Sequence, residues 1–67
     1  MNINEINLSP TDFVLAFHNV GNLPDKDVDT YCAKVISKPV EVFENNRVAL
    51  LPVREGDSWE FVIIKKQ

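Results

Sequence analysis

The spacing of apolar positions changes once along this chain, near residue 39. Before that point apolar residues recur every three or four positions, and after it they alternate with a period of two. The first spacing is typical of amphipathic helices, and the second is typical of half-buried strands. The pattern therefore predicts an α+β fold in which helices precede a small sheet.

Residues 9–21 are predicted as the first helix. Ser9 suits the N-cap, Pro10 the first helical position and Asp12 the third, where a carboxylate stabilises the positive helix end. Apolar residues follow at helical spacing, namely Phe13, Ala16, Phe17 and Val20. The preceding residues 1–8 are predicted as an arm or a short edge strand.

Residues 22–38 are predicted as the second helix, ended by Pro39. One face of it is apolar, formed by Val28, Tyr31, Cys32, Val35 and Ile36. Acidic residues occupy its first turns, namely Asp25, Asp27 and Asp29. Their spacing resembles a calcium loop, but the sixth position lacks the required glycine and the twelfth lacks glutamate. We therefore interpret them as stabilising the helix N-terminus, and we expect no metal and no cofactor.

Residues 40–65 are predicted as a three-stranded antiparallel meander. The pair Asn45-Asn46 suits a tight hairpin turn, and residues 54–58 suit the second connection. Pro52 conflicts with this arrangement, because proline cannot donate to the ladder of a central strand. The predicted fold is an N-terminal arm, two α-helices and this meander, with both helices packed on one sheet face, in a single domain of residues 1–67.

Both faces of the predicted meander are apolar. The register places Trp59 on the larger face, which the helices cover. The second face is predicted to bind another protein, through Phe43, Val48, Leu50, Val62 and Ile64, with Glu41 and Glu60 at the rim. Ile3 and Ile6 of the arm are candidates to cover part of it. The alternative is a sheet that curls into a small barrel and buries both faces.

Length and composition narrow the classes of protein. A chain of 67 residues with 45% apolar content forms one globular domain. Such a domain buries only about 60% of the surface of its unfolded chain, which favours association. The single cysteine permits no intramolecular disulfide and is typical of a reducing compartment, so we expect a cytoplasmic protein. Residues 1–9 lack a signal-peptide pattern, and no segment approaches the ~18 apolar residues of a membrane span.

Two further functional classes are weighed against protein binding. The helix–helix–hairpin order resembles the latter part of a winged helix, but the acidic second helix and the net charge of −3 disfavour nucleic acid. The overall order also resembles that of small ribonuclease toxins, for which His18, Tyr31, Arg47 and Arg54 are the candidate residues. A nucleophilic pair of Cys32 and His18 is disfavoured, because Cys32 lies on an apolar helix face.

The sequence thus predicts a small non-enzymatic interaction module. Its partner is expected to be another protein, which it binds as an inhibitor or accessory regulator, or a second copy of itself in a homodimer. The alternatives are a nucleic-acid-binding regulator of winged-helix layout and a small ribonuclease.

Overall fold

The computed structural model describes residues 8–65, which form one bent helix and a three-stranded mixed sheet. The elements in chain order are β1 (Phe13–Asn19), α1 (Asp25–Val35), α2 (Ser37–Val42), β2 (Arg47–Val53) and β3 (Trp59–Ile64). The strand order is β2-β1-β3, with β2 parallel and β3 antiparallel to the central strand β1. The predicted α+β class is confirmed. The prediction of an all-antiparallel meander is wrong, and so is that of two separate helices.

The predicted first helix, residues 9–21, is wrong, because its apolar part is the central strand β1. The run Phe13–Phe17 is apolar at every position. A helix of that composition needs burial all round, which a chain of this size cannot supply. A strand instead sends alternate side chains to two faces, and the flanking strands satisfy its backbone on both sides.

The residues predicted to cap that helix form an isolated turn. The Ser9 N–H donates to Asp12 Oδ2 at 2.8 Å, and the Asp12 N–H donates to the Ser9 carbonyl at 2.9 Å. The side-chain amide of Asn46 donates to the backbone carbonyls of Ser9 and Asp12. Lys65 Nζ lies 2.7 Å from Asp12 Oδ2. Ser9 and Asp12 therefore form the capping bonds expected of a helix start. The bonds from Asn46 and Lys65 hold this turn, and a strand follows it instead of a helix.

The predicted second helix, residues 22–38, begins later and continues further. α1 and α2 form one helix that bends at Ile36, whose backbone remains helical. Pro39 does not end the helix, because it lies in the first turn of α2, where its missing N–H needs no partner. Residues 40–42, predicted as the start of the first strand, are therefore helical.

The predicted hairpin at Asn45-Asn46 is also wrong. These residues follow the helix and lead into β2, which pairs in parallel with β1 from Phe13↔Arg47 to Asn19↔Val53. The predicted span of β2 is confirmed, and β3 begins at Trp59 as predicted. Since β1 lies between them, these two strands do not pair with each other as the meander requires.

Pro52 fits this topology, because β2 is an edge strand, where a residue without an N–H is tolerated. The five-residue connection 54–58 spans the end of β1. It is fastened there by bonds from the Asn19 N–H to the Ser58 carbonyl at 3.0 Å and from Asn19 Nδ2 to the Gly56 carbonyl at 2.8 Å. Gly56 has a φ of 93°, a conformation that favours glycine.

The bent helix covers one face of the sheet. Val14 and Ala16 of β1 are fully buried on that face, and Phe43 at the end of α2 is 2% exposed. The Phe43 ring packs edge-on against Phe61 of β3 at 5.2 Å between centroids. The predicted apolar face of the second helix points inward, with Tyr31 the most exposed of its residues.

We expect Phe43→Ala to lower the free energy of unfolding by about 3–5 kcal/mol, because it opens a cavity in the small core. The control is Val42→Ala at the neighbouring position, whose side chain is 50% exposed and whose loss removes little buried surface. Urea denaturation followed by circular dichroism measures both values. Equal losses in the two variants would contradict the placement of Phe43 in the core.

Candidate protein-interaction face

The sheet face opposite the helix is apolar, and we call it the open face. Its position follows from the strand register, because alternate residues of β1 point away from the buried Val14 and Ala16. Three rows cross it from β2 through β1 to β3. They are Arg47–Phe13–Ile64, Ala49–Leu15–Val62 and Leu51–Phe17–Glu60.

The apolar side chains of the open face are accessible to solvent. Leu51, Val62 and Ile64 on the two outer strands are 44%, 42% and 47% exposed. The side chains of β1 between them are half-buried by these neighbours. Within residues 8–65 no helix or strand packs on this face. Ile3 and Ile6, expected to cover part of the second sheet face, lie outside the described residues.

Two charged side chains occupy opposite corners of the open face. Arg47 begins β2 beside Phe13, and Glu60 lies on β3 beside Phe17. The remaining two corners are Leu51 and Ile64, so each charged corner lies level with an apolar corner across β1. The face therefore combines an apolar centre with one positive and one negative corner on a diagonal.

The structure divides the predicted contact residues between different surfaces. Glu60, Val62 and Ile64 lie together on the open face. Val48 and Leu50 pair with Val14 and Ala16 and point towards the helix. The two others lie in the helical layer and after it, with Glu41 exposed and Phe43 buried. The grouping on one sheet face is therefore wrong, because the assumed direct pairing of β2 with β3 across the connection 54–58 turned β2 over relative to β3.

The open face also contains residues outside the predicted contact set. They are Phe13, Leu15 and Phe17 of β1, with Ala49 and Leu51 of β2. The signal that could have identified them is the unbroken apolar run Phe13–Phe17, which is typical of a strand with neighbours on both sides. The apolar residues of this run also fit a helical period, and for that reason a helix was predicted.

On the helix side, His18 is 5% exposed and fully bonded. Its Nδ1 donates to the Ser58 carbonyl at 2.7 Å, because a carbonyl only accepts. In the neutral ring Nε2 then accepts from the Tyr31 hydroxyl at 3.2 Å. The ring stacks on Trp59 at 4.1 Å between centroids. Both ring nitrogens are thus engaged by residues other than Cys32, the thiol considered as its nucleophilic partner.

The candidate ribonuclease residues do not all converge. His18 and Tyr31 are in contact, but Arg47 lies at the opposite end of the sheet and on the opposite face. Arg54 Nη1 donates to the carbonyls of Gly21 and Leu23 at 2.8 Å, and Nη2 pairs with Asp25 at 2.6 Å. Arg54 therefore fastens the segment that joins β1 to α1.

The winged-helix layout, which was weighed as an alternative, also differs from the structure. A wing is a pair of adjacent antiparallel strands, but β1 lies between β2 and β3. Asp25 and Asp27 lie in the first turn of α1, which confirms the predicted acidic helix start. In the part of the chain that the structure describes, no group of three or more His, Cys, Asp or Glu residues is placed to hold a metal ion.

Two of the clefts formed by residues 8–65 lie on the helix side of the sheet. One has a volume of about 270 Å³ and is lined by Val20, Asp25, Val28, Asp29, Pro52 and Arg54. The other, which we call the α2 groove, has a volume of about 190 Å³ and is lined by Lys38, Pro39, Val42, Trp59 and Phe61. The α2 groove is a second apolar surface, so an experiment that assigns binding to the open face has to distinguish it from this groove.

Comparisons with protein families, curated proteins and solved structures found no match for this chain. Among the described residues, no helix is long and apolar enough to cross a membrane.

We expect Val62→Lys and Ile63→Lys to differ sharply in stability, because these neighbours on β3 point to opposite faces. Val62→Lys lies on the open face near Glu60, and we expect it to change the free energy of unfolding by less than about 1 kcal/mol. Ile63→Lys places a charge under the helix, and we expect a loss of about 2–4 kcal/mol. Urea denaturation at low protein concentration measures both. Comparable losses would show that the open face is covered within the chain.

Proposed function

We propose that this protein is a non-enzymatic interaction module that binds a protein surface through its open face. The observation that carries the proposal is an apolar sheet face that no helix or strand of residues 8–65 covers. Contiguous exposed apolar surface of this kind marks interaction sites in small proteins, because leaving it in water costs free energy. We infer an inhibitor or accessory regulator, since such proteins act by occupying a surface of their partner.

The rigidity of the open face supports this role. Its central side chains belong to β1, whose backbone is paired on both edges. Side chains on such a strand are held in place before a partner arrives, so that little conformational freedom is lost on binding. The aromatic rings of Phe13 and Phe17 suit an interface centre, where aromatic side chains are enriched. The flanking charges suit the polar rim.

Nucleic acid is a less favoured partner for this face. Phosphate binding requires clustered basic side chains, and the open face has one arginine and one glutamate among apolar residues. The ribonuclease alternative is also less favoured, because its candidate basic residues lie far from His18 or bond to backbone carbonyls. A cytoplasmic location is part of the proposal, and its support is the single free cysteine.

The test measures binding of cell proteins to tagged protein with quantitative mass spectrometry. We expect Leu51→Lys and Val62→Lys each to remove the same set of bound proteins, because a buried charge without a partner weakens an apolar interface by more than about ten-fold. The matched control is Val42→Lys, which places the same charge at an equally exposed valine in the α2 groove.

Retention of that set by Val42→Lys, with loss in both open-face variants, supports the proposed function. Loss with Val42→Lys alone would assign binding to the α2 groove. A set that no variant changes would contradict the proposal, provided that urea denaturation shows each variant to be folded.

A further inference from the structure

We propose that the occupant of the open face is a second copy of this chain, docked face to face about a two-fold axis that lies along one diagonal of the sheet. This inference rests on the proposed function and names a second copy as the partner, in place of an inhibited or regulated protein. It follows from the pattern of charges on the open face, which is complementary to itself under that one operation.

A two-fold axis between two stacked sheets must lie in their common plane. Viewed perpendicular to the sheets, each residue of one copy then lies at the position obtained by reflecting the same residue of the other copy across the axis. Four orientations respect the rows of the open face: along the strands, across them, or along either diagonal. Each orientation sets a different residue opposite Arg47 and Glu60, and so the charges discriminate among them.

An axis along the strands places Arg47 of one copy over Ile64 of the other and Glu60 over Leu51. An axis across the strands places Arg47 over Leu51 and Glu60 over Ile64. Both arrangements bury charges against hydrocarbon, which costs free energy. An axis along the diagonal that joins Arg47 to Glu60 places each charge over its own copy, where like charges repel.

The remaining axis runs along the diagonal from Leu51 to Ile64. It brings Arg47 of each copy to about 5 Å, in projection, from Glu60 of the other, so that the two long side chains can pair at the rim. Leu51 and Ile64 lie near the axis and meet their own copies, which is apolar contact. This is the one orientation of the four in which every corner has a complementary neighbour.

The interior of the face also fits this axis. With strands about 4.8 Å apart and a rise of about 3.3 Å per residue, the diagonal crosses the strands at about 36°. The strands of the two copies then cross at about 70°, close to the orthogonal class of sheet packing. Leu15 meets its copy at the centre, Phe17 lies over Ala49, and Phe13 lies over Val62. The largest rings thus face small or branched side chains.

The size of the face sets the strength of the expected dimer. Three strands by five residues cover about 10 by 13 Å between backbone positions, so the interface is below the standard size for a stable complex. We therefore expect a dissociation constant on the order of micromolar, with a reversible monomer–dimer equilibrium.

The experiment is sedimentation equilibrium over a concentration series for the full chain and its charge-reversal variants. We expect Arg47→Glu and Glu60→Arg each to weaken the dimer roughly ten-fold, because each sets two like-charge pairs against each other. The double variant restores opposite charges across the interface, and we expect its dissociation constant to return to within about three-fold of the original. Lys26→Glu on the exposed side of α1 is the charge-matched control, and we expect no change.

Recovery in the double variant supports the diagonal two-fold, because no other face-to-face orientation restores both pairs. A dimer that neither reversal weakens, or one that the double variant fails to restore, overturns it. A monomer at every concentration also overturns it. If the monomer still binds other proteins in a manner that Leu51→Lys and Val62→Lys abolish, the proposed function survives and only the identity of the partner was wrong.

Discussion

The structure depends on the double pairing of β1. As the central strand it has β2 on one side and β3 on the other, so its backbone donors and acceptors are satisfied along both edges. This arrangement decides the rest. The chain must leave β1, cross one face as a helix and return in parallel, and the connection 54–58 must then span the end of β1 to place β3 on its other side.

The crossover also creates the asymmetry from which function is inferred. One bent helix can cover one face of a three-stranded sheet, and it covers the face of Val14, Ala16 and His18. The opposite side chains of β1 are almost as apolar, because a strand with two neighbours carries apolar residues on both faces. The chain therefore has more apolar sheet surface than its described helices and strands cover. Protein binding is the functional class that uses such a surface directly.

The polar residues His18 and Arg54 form hydrogen bonds that hold the fold together. His18 bonds to the Ser58 carbonyl and the Tyr31 hydroxyl, which joins the end of β1 to the last connection and to α1. Arg54 fastens the carbonyls of Gly21 and Leu23. No buried side-chain nitrogen or oxygen lacks a hydrogen-bond partner within residues 8–65. These bonds explain why such residues occur in a small apolar domain without invoking chemistry.

The sequence by itself determined the elements whose patterns are local. The acidic first turn and apolar face of α1, the span of β2, the length of the connection 54–58 and the start of β3 all follow from periodicity and turn residues. Pro52 also marked β2 as an edge strand, a signal that conflicted with the assumed meander. Only the tertiary structure decided that the run Phe13–Phe17 is a strand, because its apolar positions fit both periods and its pairing partners lie more than thirty residues away. Local spacing cannot select such partners. Because this run is a strand, β1 lies between β2 and β3, and the faces of β2 relative to β3 are the reverse of those in the predicted meander. This arrangement determines which side chains form the open face.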